Sequence, residues 1–114
     1  MNKIILVGRL TKDAALRYTN EGKEVADIQL AVDDGWGENK KTLWVKCSLW
    51  GKRAVSLEQY LTKGTQVYVE GRLNHDEGNP RVWGEGKASF EMTVTEIKLL
   101  GGGKNVSQDE EIPF

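Results

Sequence analysis

A period of two runs through most of the chain. In residues 28–32 the apolar Ile28, Leu30 and Val32 interleave with Gln29 and Ala31, and Asp33 follows in step. In residues 66–73, Val67, Val69, Gly71 and Leu73 alternate with Gln66, Tyr68, Glu70 and Arg72. In residues 88–94, Ala88, Phe90, Met92 and Val94 alternate with Ser89, Glu91 and Thr93. Each run predicts a strand with one face in a core. Residues 4–7 are apolar throughout, the pattern of a strand covered on both faces by its own domain or by a second copy. Residues 52–63 break the rhythm: Ala54, Leu57 and Leu61 recur at helical spacing, with Lys63 in the last turn and Gly64 as its stop. The Gly-, Asp- and Asn-rich residues 33–41 and Glu77-Gly78-Asn79-Pro80 read as hairpin connections.

The predicted order is three strands, a short helix, then two strands. It fits an all-β, five-stranded Greek-key barrel of the OB type, with the helix between strands three and four. SH3-like barrels and split sandwiches are built from similar strand-rich chains. The folded domain is expected over residues 1–100. Residues 101–114 open on Gly101-Gly102-Gly103, show no periodicity, and read as a flexible linker with an acidic tip.

The third strand carries the candidate chemistry. In residues 42–50 (TLWVKCSLW), Leu43, Val45, Cys47 and Leu49 form the apolar face, whereas Trp44, Lys46, Ser48 and Trp50 share the other. Two indole rings on a polar face are unfavourable unless something covers them. Trp36 stands in the preceding loop, and Trp83 lies in the turn-rich RVWGEG. Around the first three, Lys40, Lys41, Lys46, Lys52 and Arg53 face Glu38 alone within residues 36–53. Cations that follow phosphates, alternating with rings that stack unpaired bases, are what sequence-tolerant binding of single-stranded nucleic acid requires.

Composition qualifies this picture. The 114 residues are 39% hydrophobic and 29% charged, and the formal net charge is −1. As a total, that opposes nucleic-acid binding. The basic segment is offset partly by Asp109, Glu110 and Glu111 at the far end, so the total conceals it. One cysteine and one histidine exclude an intrachain disulfide and a structural zinc site. Cys47 reads as a core hydrophobe and His75 as a solvated loop residue. No apolar run approaches the ~20 residues of a membrane span, and the Met1-Asn2-Lys3-Ile4 start does not resemble a secretion signal. The expected location is therefore the cytoplasm. No phosphate-binding loop, nucleophile elbow or metal-ligand pair occurs, so no enzyme activity, metal or cofactor is expected. The loop carboxylates Asp33-Asp34 and Asp76-Glu77 leave a metal-dependent nuclease as one alternative, and a protein adaptor using the tryptophan face as another. The last six residues, Asp109-Glu110-Glu111-Ile112-Pro113-Phe114, place acids beside two apolar side chains and a terminal carboxylate. Together they form a hook for a basic-rimmed apolar pocket on another protein.

With these residues in view, the chain resembles bacterial-type single-stranded DNA-binding proteins over essentially its whole length. NKIILVGRLTKDAALRY resembles the family's first strand and turn, LWVKCSLWGK its aromatic third strand, YLTKGTQVYVEGRL its helix end and fourth strand, and DEEIPF its terminal hook. The resemblance implies an OB barrel that assembles, usually as a homotetramer, and wraps single-stranded DNA without base specificity. It also implies a nucleoid-associated role in replication, repair and recombination, with partner proteins recruited through residues 109–114. Carried over by position, the stacking aromatics fall on Trp36, Trp44 and Trp50, the last standing where many members have Phe; Trp83 is a fourth stacking candidate, out of register with the family's aromatic on the long hairpin. Phosphate contacts fall on Arg9, Lys12, Arg17, Lys46, Lys52 and Arg72. Within the same fold, a primosomal or RNA-directed protein is the alternative.

Overall fold

The computed structural model describes residues 1–83 and 89–102, Trp83 through its backbone alone. Five strands close a barrel: β1 (Ile4–Leu10), β3 (Glu24–Asp34), β4 (Lys41–Trp50), β5 (Gln66–Leu73) and β9 (Ser89–Gly101). Around it lie β2 (Ala15–Tyr18), the hairpin β6 (His75–Asp76) and β7 (Asn79–Pro80), β8 (Val82–Trp83), and one helix, α1 (Lys52–Leu57). The barrel runs β1-β5-β9-β4-β3 and closes through Arg9↔Ala31 and Leu10↔Leu30 between β1 and β3. All of its pairings are antiparallel except β4 with β9. This is the five-stranded OB architecture that the periodicity predicts.

The inward faces are those of the alternating pattern. Ile28, Leu30, Val45, Cys47, Val67, Val69 and Met92 are essentially inaccessible to solvent, and each large side chain of this kind contributes roughly 1.5–3 kcal/mol by leaving water. Burial pushes the Cys47 thiol up to about 12, so it is a packing group rather than a nucleophile. Gly71 sits at a bulge between β5 and β9, where any Cβ would collide with the Thr93 carbonyl oxygen. That bulge resets the register of β9, so that Arg72 pairs with Thr93 and Leu73 with Met92.

Three details depart from the expectation, and a fourth excludes one of its alternatives. The helix is shorter than residues 52–63, because after a 3-10 turn at Glu58–Tyr60 the chain is drawn against the end of β1. Ala14 N–H donates to Leu61 O (2.8 Å), Gly64 N–H to Leu10 O (2.9 Å), and Lys63 N–H to the Asp13 carboxylate (2.8 Å). Residues 4–7 are not covered on both faces by their own domain. Ile5 and Val7 remain 52% and 37% exposed, because nothing among the described residues packs over that side of β1. Phe90 does not join the core with Met92 and Val94 but is exposed at the start of β9. Finally β2, short and mostly exposed, pairs with β3 from Ala15↔Asp27 to Tyr18↔Glu24, a strand too brief to register as alternation.

Candidate nucleic-acid interface

Strand β4 turns its even positions away from the core, as its alternation requires, with Ser48 buried among its neighbours on that face. Trp44 and Trp50 are each 43% exposed, while Val45, Cys47 and Leu49 face the core. Register extends this face sideways. Trp50 pairs with Val25, which pairs with Arg17 of β2, so a buried valine lies between an indole and a guanidinium. Ser48 lies opposite Asp27 on one side and Thr93 on the other, and Thr93 pairs with Arg72. Lys46 lies between Gln29 and Glu91, and Trp44 beside Ala31. Six residues of strand separate the two rings by about 20 Å.

The β6–β7 hairpin roots this surface in a concavity. Its turn is Glu77-Gly78, both at positive φ (50° and 90°), the geometry of a tight two-residue hairpin. At the root, Asn74 N–H donates to Glu91 O (2.8 Å) and Arg81 N–H to Asn74 O (2.9 Å). Side chains continue the network: Thr93 Oγ1 donates to Asn74 Oδ1 (2.8 Å), and Asn74 Nδ2 donates to Glu91 Oε1 (3.1 Å). Glu91 also lies 3.8 Å from the Arg81 guanidinium, and Asp76 holds the same group from the other side at 3.8 Å.

The groove has a volume of about 560 Å3, with walls that include Arg17, Lys46, Trp50, Arg72, His75, Arg81 and Glu91. Four cations thus face one carboxylate. Arg17 is held by Asp27 through Nε (2.7 Å) and a second, longer bond (3.5 Å), and this hydrogen bond and charge raise its pKa further. A positive trough beside an exposed indole can hold a polyanion by its phosphates while stacking a base.

The structure divides the residues expected from the sequence. Arg17, Lys46, Arg72 and Trp50 meet in the groove. Trp44 shares the outer face of β4, and Trp36, 89% exposed, stands at the entry of the β3–β4 loop turn. Several cations have other engagements. Arg9 donates to Gly64 O (2.9 Å), Lys40 pairs with Asp33 (3.2 Å), and Arg53 bonds Glu96 (2.9 Å) and the Ile97 carbonyl (3.2 Å). The bond from Arg53 holds Glu96 below the usual carboxylate range. Lys12 and Lys41 are exposed outside the groove walls, and Lys52 opens α1. Trp83 lies in β8 opposite Ser89, but its side chain is outside the described residues, as are Asp109, Glu110, Glu111, Ile112, Pro113 and Phe114.

Arg81, Asn74 and Glu91 line the groove without having been singled out by sequence, and His75, which the sequence reads as a solvated loop residue, stands in its wall as well. The signal for Arg81 lay in the hairpin itself: once Glu77-Gly78 is the turn, Arg81 must return to the level of Asn74. Among the described residues no cluster of metal-binding side chains occurs, and no helix is long and apolar enough to cross a membrane.

Comparison with known proteins agrees with this geometry. Residues 1–100 match the family described as "Single-strand binding protein family". The chain is 35% identical over 106 residues to a protein of Chlorobaculum tepidum named "Single-stranded DNA-binding protein 1", an alignment covering 89% of this chain and 65% of that one. It is 34% identical over 120 residues to the "Single-stranded DNA-binding protein" of Treponema pallidum, covering 97% and 66% respectively. The match thus takes in just under two thirds of each relative's length.

Proposed function

The chain belongs to the single-strand binding protein family, and on that premise we propose that it binds and protects single-stranded DNA without base specificity and without catalysis. The observation that carries this reading is the groove whose walls bring Arg17, Lys46, Arg72 and Arg81 together with the exposed Trp50. Electrostatic capture brings the strand in, and stacking holds it at roughly 1–3 kcal/mol per base whatever the base is. Trp44 and Trp36 extend the stacking path beyond the groove, with Trp83 the fourth aromatic. Lys12, Lys41 and Lys52 lend it positive charge, whereas Arg9, Lys40 and Arg53 are held by contacts of their own. Intrinsic fluorescence tests the reading. Oligo-dT at low salt should quench the tryptophan signal in a saturable, salt-sensitive way, and an unchanged signal would overturn it.

The reading includes self-assembly, with a homotetramer expected. Its support is the outer face of β1, where Ile5 and Val7 are exposed and the Ile4–Gly8 stretch pairs with β5 alone among the described residues. Beside it Tyr68 donates to Glu70 (2.7 Å) and Lys3 pairs with Glu70 (3.0 Å), a rim of satisfied polar groups around an apolar patch. Light scattering with and without oligo-dT gives the copy number. Residues 1–100 serve as the binding domain, and residues 101–114 as a linker and acidic tip that recruits replication, repair and recombination proteins in the cytoplasm. Deleting Ile112, Pro113 and Phe114 should abolish pull-down of such partners and leave oligo-dT affinity intact.

A further inference from the structure

We propose that His75 is a further strand contact of the groove and that it takes up a proton when single-stranded DNA binds, so that affinity rises as pH falls. The inference rests on the reading of the groove as the strand-binding site. His75 is the only imidazole in the chain, and it forms part of the groove wall. Its Nδ1 accepts the Gly78 N–H at 3.0 Å, and the Glu77-Gly78 turn sets that donor in place. A nitrogen that accepts carries no proton, so the neutral ring keeps its proton on Nε2. Nε2–H is then a ready donor to a phosphate oxygen or a base carbonyl.

The charges around the ring determine when it gains a second proton. Arg17 from β2, Lys46 from β4, Arg72 from β5 and Arg81 beyond β7 line the same groove as His75. Of the carboxylates, Glu91 of β9 is engaged by Asn74 and Arg81, and Asp76, next to His75, also leans on Arg81. Bound phosphates place anionic oxygens against these cations and the ring, and an anion beside an imidazole favours its protonated form. The bound state therefore holds more protons than the free state, and by linkage binding tightens as protons become more available. Protonation of Nδ1 also sets two donors, the ring N–H and the Gly78 N–H, against each other, which frees the ring to follow a phosphate. The thiol cannot contribute, because burial pushes Cys47 up to about 12. Apart from the amino terminus, His75 is the group whose ordinary range falls between about pH 5 and 8.

The experiment uses the full chain and oligo-dT, whose bases neither gain nor lose a proton in this range. Affinity is measured at about pH 8 and about pH 5.5 over a series of salt concentrations, and the imidazole proton signal is followed by NMR with and without the strand. Wild type should bind about three- to tenfold tighter at the lower pH. Its log–log salt slope should steepen by about 0.7, and the midpoint of the imidazole signal should move to higher pH on saturation. His75→Gln, in an exposed hairpin, should show equal affinity at the two pH values. The criterion is the ratio of affinities, so a change in the variant's absolute affinity does not obscure it. A pH-independent wild type with an unmoved midpoint, or a His75→Gln protein that keeps the pH response, overturns the proposal. Failure of wild type to bind oligo-dT at either pH overturns instead the strand-binding reading beneath it.

Discussion

Replacing Trp50 by alanine separates stacking from folding more cleanly than any other change in the groove. The ring is 43% exposed, so a little over half of it rests on the barrel, beside the fully buried Val25. An indole side chain covers on the order of 200 Å2, which puts roughly 110 Å2 in contact with protein. At about 25 cal/mol per Å2 that is an upper bound of ~2.8 kcal/mol, reduced to ~1–2 kcal/mol by the carbon alanine retains and by residual burial in the unfolded chain. The exposed part is what a base stacks on, and its loss should weaken oligo-dT binding by ~1–3 kcal/mol, about 5- to 150-fold. Urea denaturation measures the first quantity and fluorescence anisotropy of labelled oligo-dT the second. The salt slope should not change, because Trp50 neutralises no phosphate. Affinity altered less than twofold would show that no base stacks there. A folding loss of ~3–5 kcal/mol would mark the ring as core, and a shallower salt slope would mean that the cations had moved with it.

Three further outcomes test the rest of the geometry. Arg72→Ala should make the log–log salt slope shallower by about 0.7, whereas Arg53→Ala, remote and bonded to Glu96 and Ile97, should leave it unchanged in the same titration. Glu70, lowered chiefly by the hydrogen bond from Tyr68, and Glu96, lowered chiefly by that from Arg53, both titrate in the folded chain below the ordinary 4.5. Their stabilisation is therefore full above 4.5 and lost as pH falls through the depressed folded values. Thermal melts of a Glu70→Gln, Glu96→Gln double variant should show a flatter decline of Tm with acid than wild type, and an unchanged decline would refute the assignment. Gly71→Ala should lower stability by ~1–3 kcal/mol in denaturant melts, since its Cβ collides with the Thr93 carbonyl, and should weaken oligo-dT binding by displacing Arg72; a neutral effect on both would deny the bulge.

Much of the fold was legible because side-chain direction in a strand is a local property. Period-two alternation alone assigned Ile28, Leu30, Val67, Val69 and Met92 to the core, and turned Trp44 and Trp50 outward. Apolar side chains leave water wherever the chain goes, so their spacing announces the element. The errors fell where a long-range contact overruled the local pattern. Hydrogen bonds with Ala14, Leu10 and Asp13 cut the helix short of Lys63.

The candidate site was legible in kind but not in membership. The sequence by itself determined that aromatic and basic side chains alternate on one strand face, and that acids collect at the far end. It could not say which cations converge, because a long side chain goes wherever its nearest opposite charge or carbonyl stands. Arg53 was drawn to Glu96 and Ile97 and Arg9 to Gly64, while Arg17, Arg72 and Arg81, separated along the chain, were brought together. That convergence depends on register between strands remote in sequence: Arg17 to Val25 to Trp50 on one row, Ser48 to Thr93 to Arg72 on the next. Alternation chooses a face, but only closure of the barrel and the fold of the β6–β7 hairpin over it choose the neighbours on that face. His75 shows this most plainly: a lone loop histidine along the chain, it becomes part of a basic groove wall once the turn at Gly78 folds back on it.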